Sequence, residues 1–296
     1  MNPVRTAKEF ATDNYYRLAK TTPIGKIHNR LRRAHHKKLY GVDSSFMFKA
    51  VELEVNGACN RACGYCPNSF AKRPKGDMDD ALFRKIIDEL AEIDFDGRVS
   101  YHFYGEPMLD KRLPDFVQYT RKHVPKSYTE IYSNGDYLNI ENFRYYVERG
   151  LDKFLITQHD SVMTPALQEI MDTISEAEKK HITIRFAKDR NLINRSGLIT
   201  NLQIINEPLK AVCDWPLNIM VITMNGNVVL CCNDYFETEV IGNVQEKSLR
   251  EVWTDPRYVN FRAALSRGDR TVSKLCKDCD YVPSLAKQKR IVPGVS

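Results

Sequence analysis

The sequence predicts an α/β protein built on a parallel sheet with crossover helices, followed by a smaller domain of different make-up. Three observations carry this. Strand-like and helix-like apolar periodicities alternate from residue 46 to about residue 190, the residues able to do chemistry fall just beyond the strand-like runs, and the pattern changes after residue 210. A β-then-α alternation needs a parallel sheet, because parallel neighbours can be joined only by a crossover.

The elements follow in order. Strands are predicted over 48–55, 98–104, 128–132, 153–157 and 181–186. Helices are predicted over 79–93, 113–123, 141–149 and 165–178. In the first helix Leu82, Phe83, Ile86, Leu90 and Ile93 share one face. In such folds ligand groups gather at the C-terminal ends of the strands. Cys59–Cys66 lies beyond the first strand, Gly105 and Glu106 beyond the second, Asn134 beyond the third, and Gln158 and His159 at the fourth. After residue 210, Asn225–Gly226 marks a two-residue hairpin turn between 219–224 and 228–230. Ser248 with Glu251 forms a capping box, and Pro256 suits a first helical turn.

The net charge of +6 belongs to one end. Residues 1–40 hold ten Lys or Arg and two acids, a balance of +8, which leaves the remainder at −2. Residues 1–45 are expected to be a basic helical extension whose apolar stripe (Ile27, Leu31, Leu39) is thin. A solvated helix is the favoured reading over a contact for an anionic partner. Residues 46–205 form the expected barrel domain, 206–285 the second domain and 286–296 a tail. No apolar run is long enough for a membrane span and none at the start suits a secretory signal, so the expected compartment is the cytoplasm. Eight cysteines there favour metal binding or catalysis over disulfides, the more so because three fall at 59, 63 and 66 and five after residue 210.

Cys59-x3-Cys63-x2-Cys66 supplies three thiolates. A cubane of four irons held by three thiolates keeps one iron without a protein ligand. A structural zinc site is the alternative, but zinc knuckles pair C-x2–4-C motifs and close with four ligands, and no local fourth ligand exists. Cys213, Cys231, Cys276 and Cys279 offer four thiolates, enough for a complete [4Fe–4S] cluster or for zinc, with Cys232 as a fifth.

The spacing of the first three cysteines resembles that of the radical S-adenosylmethionine (SAM) superfamily. The resemblance continues in Tyr65 before the third cysteine, in the YGEP run 104–107 and in the SNGD run 133–136. It implies a partial (β/α)6 barrel in which Cys59, Cys63 and Cys66 hold a SAM-binding [4Fe–4S] cluster. It further implies that Tyr65 stacks on adenine, that Gly105 and Glu106 receive the SAM ammonium, and that Asn134 contacts the ribose. Gln158 is grouped with these cofactor-binding residues. The late cysteines resemble the Twitch module, a halved SPASM domain. There Cys213, Cys231, Cys276 and Cys279 would hold an auxiliary [4Fe–4S] cluster.

The stretches VELEVNGACNRACGYCPNSFAKR (51–73), HFYGEP (102–107), ITQH (156–159) and NR-x-G (194–197) further resemble radical SAM aminocyclitol dehydrogenases of antibiotic biosynthesis. That resemblance implies hydrogen abstraction from a carbinol carbon of a cyclitol, aminocyclitol or sugar. The auxiliary cluster would take the second electron, and a flavodoxin- or ferredoxin-type reductant would start the reaction. Glu52, Tyr104, Tyr132 and Arg195 would line the substrate pocket. Arg195 would stabilise the developing alkoxide rather than act as a base, since a guanidinium does not deprotonate in proteins. Two features depart from the resemblance: the basic extension, and Cys232 in place of an aromatic wall residue. Cys232 keeps open a peptide-modifying reading, such as an epimerase with a thiol hydrogen donor, alongside a crosslinking catalyst. A zinc protein binding nucleic acid is disfavoured by the near-neutral body.

Overall fold

The computed structural model describes residues 47–189, 192–202 and 204–283. The chain divides into a unit of residues 1–47 and a unit of residues 48–296. Everything below concerns the second unit. The expected basic extension (1–45) and tail (286–296) lie outside the described residues.

Four β/α steps and a fifth strand come first. They are β1 (Ala50–Leu53), α1 (Asp80–Glu92), β2 (Arg98–Tyr101), α2 (Leu113–His123), β3 (Tyr128–Ser133), α3 (Ile140–Glu148), β4 (Lys153–Gln158), α4 (Pro165–Thr173) and β5 (Ile182–Phe186). The second half contributes α5 (Trp215–Asn218), the hairpin β6 (Ile219–Ile222) and β7 (Asn227–Val229), then β8 (Val240–Asn243), α6 (Leu249–Trp253), α7 (Pro256–Ser266) and α8 (Lys274–Lys277). The strands form one sheet in the order β5-β4-β3-β2-β1-β6-β7-β8. Six of them run parallel, and the sixth is β6, which pairs with the free edge of β1. The second domain is thereby sewn to the first through the central strand.

Strand alternation sets what each face carries. Val51, Leu53, Val99, Tyr101, Ile131, Phe154 and Ile156 are almost fully buried on the outer face, against the helices. Phe83 of α1 stacks on Phe116 of α2 at 4.0 Å, and Phe143 and Tyr146 of α3 meet Phe154. α1 starts where the Asp79 side chain accepts from the Ala81 and Leu82 amides, and it buries Leu82, Phe83, Ile86, Ile87 and Leu90. Each such burial contributes on the order of 2 kcal/mol. The inner face is polar: Glu52, Ser100 and Glu130 are register partners across β1, β2 and β3.

Most predicted elements appear, some shortened. β2 ends at Tyr101 because the chain then turns toward the cysteine loop. α4 ends at Thr173 because Ile174 is extended and Ser175 exchanges hydrogen bonds with Glu178, which starts a new turn. The Asn225–Gly226 turn is present with Gly226 at φ 80°, and the Ser248–Glu251 capping box is complete. No helix among the described residues is long and apolar enough to cross a membrane.

Candidate active site

The loop after β1 is fixed at its base before any cofactor is considered. The Asn56 side chain accepts from the Ala58 amide and donates to the Glu106 carbonyl, and Gly57 N–H donates to Gly76. Glu106 N–H donates to the Ala58 carbonyl at 2.7 Å. That approach explains Gly105, where a Cβ would stand 2.2 Å from the Asn56 carbonyl oxygen. Within the loop, Cys66 N–H and the Ser69 hydroxyl both donate to the Cys63 carbonyl. Cys59, Cys63 and Cys66 are half-buried and line one wall of a cavity of about 740 Å³.

The predicted cofactor residues are distributed as follows. Tyr65 lines the cavity with its ring near-parallel to His159 and its hydroxyl hydrogen-bonded to His159 Nδ1. His159 Nδ1 is also 3.4 Å from Cys63 Sγ. Glu106 is almost fully buried and accepts from Met108 N–H, the Ser133 hydroxyl and Asn134 N–H. Of the about four acceptor sites of a carboxylate, one is left for an ammonium. Asn134 donates to Asn60 and accepts from Asp136 N–H. Arg61 forks onto Asp136 and reaches Asp160, which ties the cysteine loop to the ends of β3 and β4. Gln158 is different. It is fully buried, shares the outer face of β4 with Phe154 and Ile156, and is not part of the cavity wall, whereas Thr157 and His159 are. Its side-chain amide donates to Asp160 at 3.1 Å, the carboxylate that Arg61 of the cysteine loop also reaches.

The floor of the cavity is a charged cluster. Arg98 lies 3.3 Å from Glu52 Oε1 and 3.1 Å from Glu130 Oε1, and it contacts the Tyr132 hydroxyl at 3.4 Å. Ser100 donates to Glu130. His102 packs on Tyr132 with ring centroids 4.1 Å apart and lies 3.9 Å from Glu52 Oε2. Glu52 is buried and its Oε2 has no hydrogen-bond partner. Burial raises the Glu52 carboxyl to about 7, Arg98 opposes this, Glu130 adds to it and Arg195 opposes it. A buried ionisable oxygen without a hydrogen-bond partner beside a cavity is a place for a ligand donor.

The fourth wall comes from the second half of the chain. Tyr104 donates its hydroxyl to the Cys232 carbonyl at 2.8 Å. Arg195 donates to the Asn233 side chain at 3.1 Å and lies 5.5 Å from the Tyr104 ring. Its guanidinium stands in the field of Tyr104, Cys232, Cys66 and Cys279, so it lies between the two cysteine groups. The loop that presents it holds Arg195, Ser196 and Gly197 all at positive φ. Two non-glycine residues in the left-handed region carry strain that the surroundings must fix. Asn194 does so, by bonds to Asp278 and Asp280 beside the last cysteine pair.

Cys213, Cys231, Cys276 and Cys279 are each at most 9% exposed. Burial pushes Cys213 up to about 11 and Cys276 up to about 12, and drives Cys231 well above the usual thiol range, with neighbouring thiols adding to each. Four thiols that share one buried volume suit a centre that takes them as thiolates. Three thiols on an open cavity suit a cluster with a vacant iron. Both donor sets thus fit the iron–sulfur groups expected from the sequence. Among the described residues no three His, Cys, Asp or Glu side chains converge on the geometry of a single bound ion.

Sequence reasoning missed Arg98, His102, Glu130 and Arg61, and it noted His159 at the end of the fourth strand without giving it a role. The signal that was available is parity: Arg98, Ser100 and His102, like Glu130 and Tyr132, occupy alternate positions in otherwise apolar parallel strands.

Comparisons with known proteins show the family of the chain. The family model described as the radical SAM superfamily matches residues 53–207, and that of the SPASM iron–sulfur cluster-binding domain matches residues 213–280. A curated protein of Niallia circulans, S-adenosyl-L-methionine-dependent 2-deoxy-scyllo-inosamine dehydrogenase, is 37% identical over 237 residues, covering 80% of this chain and 94% of its own length. The crystal structure of BtrN in complex with AdoMet and 2-DOIA superposes with a TM-score of 0.75 at 38% identity, covering 80% of this chain and 94% of that one. The structure of BtrN in an open conformation gives a TM-score of 0.63 at 33% identity, over 79% and 93% of the two chains.

Proposed function

Since the chain belongs to the radical SAM superfamily and carries a SPASM-type iron–sulfur domain, we propose that it is a SAM-dependent dehydrogenase that oxidises one carbinol carbon of an aminocyclitol, cyclitol or sugar to a ketone. The observation that carries this reading is a single cavity. The first three thiols, Glu52, Tyr104, Tyr132, Arg195 and Cys232 all line it, while the remaining four thiols are buried outside its lining.

When bound, SAM with the first cluster supplies a hydrogen-abstracting carbon radical, and the auxiliary cluster supplies an electron sink. The chain's own residues position and polarise the substrate between them. Glu52 Oε2 accepts a hydrogen bond from a substrate ammonium or hydroxyl in a water-poor site. Arg98 keeps the other Glu52 oxygen occupied and so fixes which way the carboxylate faces. Arg195 donates to the carbinol oxygen as the hydroxyl proton passes to the Glu52 carboxylate, and it does so without reorganisation because Asn233 and the Asn194 clamp hold it. Tyr104 and Tyr132 complete the walls. The reductant is expected to be a one-electron donor of flavodoxin or ferredoxin type, and the cytoplasm is the compartment that keeps eight free thiols reduced.

The test is an anaerobic reconstitution that yields about eight irons per chain, followed by SAM, reductant and an aminocyclitol. The expected outcome is one 5′-deoxyadenosine for each ketone formed. Steady deoxyadenosine release with no ketone from any polyol would refute the dehydrogenase reading. Arg195→Gln is expected to slow ketone formation by about 10²-fold while SAM cleavage without substrate is unchanged. Cys232→Ala is expected to leave ketone formation within about threefold, since Tyr104 bonds its backbone carbonyl rather than its thiol. Loss of turnover in Cys232→Ala with both clusters intact would instead favour the epimerase reading, because Cys232 lines the cavity.

A further inference from the structure

Arg270 is one of the largest fully buried side chains of the described residues, at 1% exposure. Its guanidinium is held entirely by backbone carbonyls: Nε donates to Ala211 at 2.7 Å, and Nη2 donates to Val212 at 3.1 Å and to Tyr281 at 3.0 Å. It forms no ion pair among the described residues. Arg73, whose side chain is 7% exposed, is by contrast paired with Glu54 and Glu237. Arg270's partners are not arbitrary. Ala211 and Val212 lead directly into Cys213, and Tyr281 follows Cys279 by two residues. The field of Arg270 reaches both Cys213 and Cys276.

A buried cation without a counter-charge carries a desolvation penalty that nothing of opposite sign offsets. Carbonyl dipoles recover part of this, because hydrogen bonds to an ionised donor are strong. What is missing is an anion. Four thiolates around an iron–sulfur core form a net anion, and it becomes more negative on reduction. We propose that Arg270 is the buried counter-cation of the auxiliary cluster, placed to favour its reduced state and so raise its reduction potential. The proposal rests on the reading of Cys213, Cys231, Cys276 and Cys279 as cluster ligands. At the low effective dielectric of the interior, a fixed positive charge close to the ligands acts more strongly on the reduced than on the oxidised cluster. An acceptor tuned in this way is suited to take the electron of a substrate radical.

The test isolates one cluster. Cys59, Cys63 and Cys66 are replaced by alanine in the full chain, the protein is reconstituted, and the midpoint potential is read by EPR-monitored titration. Without about four irons per chain in this background, the ligand assignment itself fails, and this result is distinct from those that follow. With the cluster present, Arg270→Gln is expected to shift the midpoint to more negative potential. Arg270→Lys keeps the charge but loses the three-carbonyl fork, and it is expected to stay near the parent value. A parent-like midpoint in Arg270→Gln overturns the proposal. So does an equal fall in Arg270→Lys, because the carbonyl clamp would then be the cause. Should Arg270→Gln not retain the cluster, Arg270→Lys decides: a retained cluster with the parent midpoint supports the role of charge, and loss of either contradicts it.

Discussion

Cys63→Ala is expected to abolish 5′-deoxyadenosine formation altogether and to lower iron from about eight to about four per chain. The loop around Cys63 is held by backbone groups: its carbonyl accepts from Cys66 N–H and the Ser69 hydroxyl. Alanine preserves both bonds, so the substitution removes a ligand and leaves the frame. The four buried thiols of the second domain belong to other segments and should still assemble their cluster. The checks are iron and sulfide analysis and chromatography of SAM products under reductant. Retained SAM cleavage in Cys63→Ala would remove the three-thiol site from the mechanism. The same substitution at one late cysteine, Cys276→Ala, separates the two centres, because deoxyadenosine should then form while ketone does not.

Glu52→Gln is expected to lower kcat/KM for ketone formation by about 10³-fold, the scale of breaking a buried charge pair, while leaving both clusters in place. The wild-type carboxyl titrates near 7, since burial raises it, Arg98 and Arg195 counter this and Glu130 adds to it. His102 and Tyr132 are further ionisable neighbours on this floor, and the field of Glu52 also reaches Cys232. Only the carboxylate form can pair with a substrate ammonium. Hence kcat/KM of the wild type should rise with pH through about 7, and Glu52→Gln should lose that limb. The stability effect has the opposite sign. Folded Glu52 holds its proton more tightly than the ordinary value of 4.5, so its contribution falls as pH rises from there and is lost above about 7. At pH 8 the wild type carries a cost on the order of 3 kcal/mol that glutamine removes. A variant that is more stable at pH 8 yet nearly inactive marks a residue kept for function. A variant equal to wild type in both would show that Glu52 is only a packing residue.

The parts that were legible in the sequence are those fixed by chemistry or local pattern. Cysteine is sparse, and its spacing limits the possible centres, so both thiol groups could be read. The α1 stripe, the Asn225–Gly226 turn and the Ser248–Glu251 box depend on neighbours within a few residues, and each forms. The floor of the site was not legible. Arg98 meets Glu52 and Glu130 only because β1, β2 and β3 pair in one register, over separations of 46 and 32 residues. Gln158, grouped with the cofactor residues by its position at a strand end, does not line the cavity as Thr157 and His159 do, and its amide instead bonds Asp160, which Arg61 of the cysteine loop also reaches. The left-handed turn at Arg195 was foreshadowed only by Gly197, and the clamp on Asn194 comes from residues more than eighty positions later.

The proposed dehydrogenation moves a hydrogen atom from a carbinol carbon to the SAM-derived radical and an electron to the auxiliary cluster. The most direct measurement follows deuterium placed on that carbon of an aminocyclitol substrate during a single turnover. The expected result is deuterium in 5′-deoxyadenosine in equal amount to the ketone produced. Unlabelled deoxyadenosine alongside labelled, unoxidised substrate would contradict it.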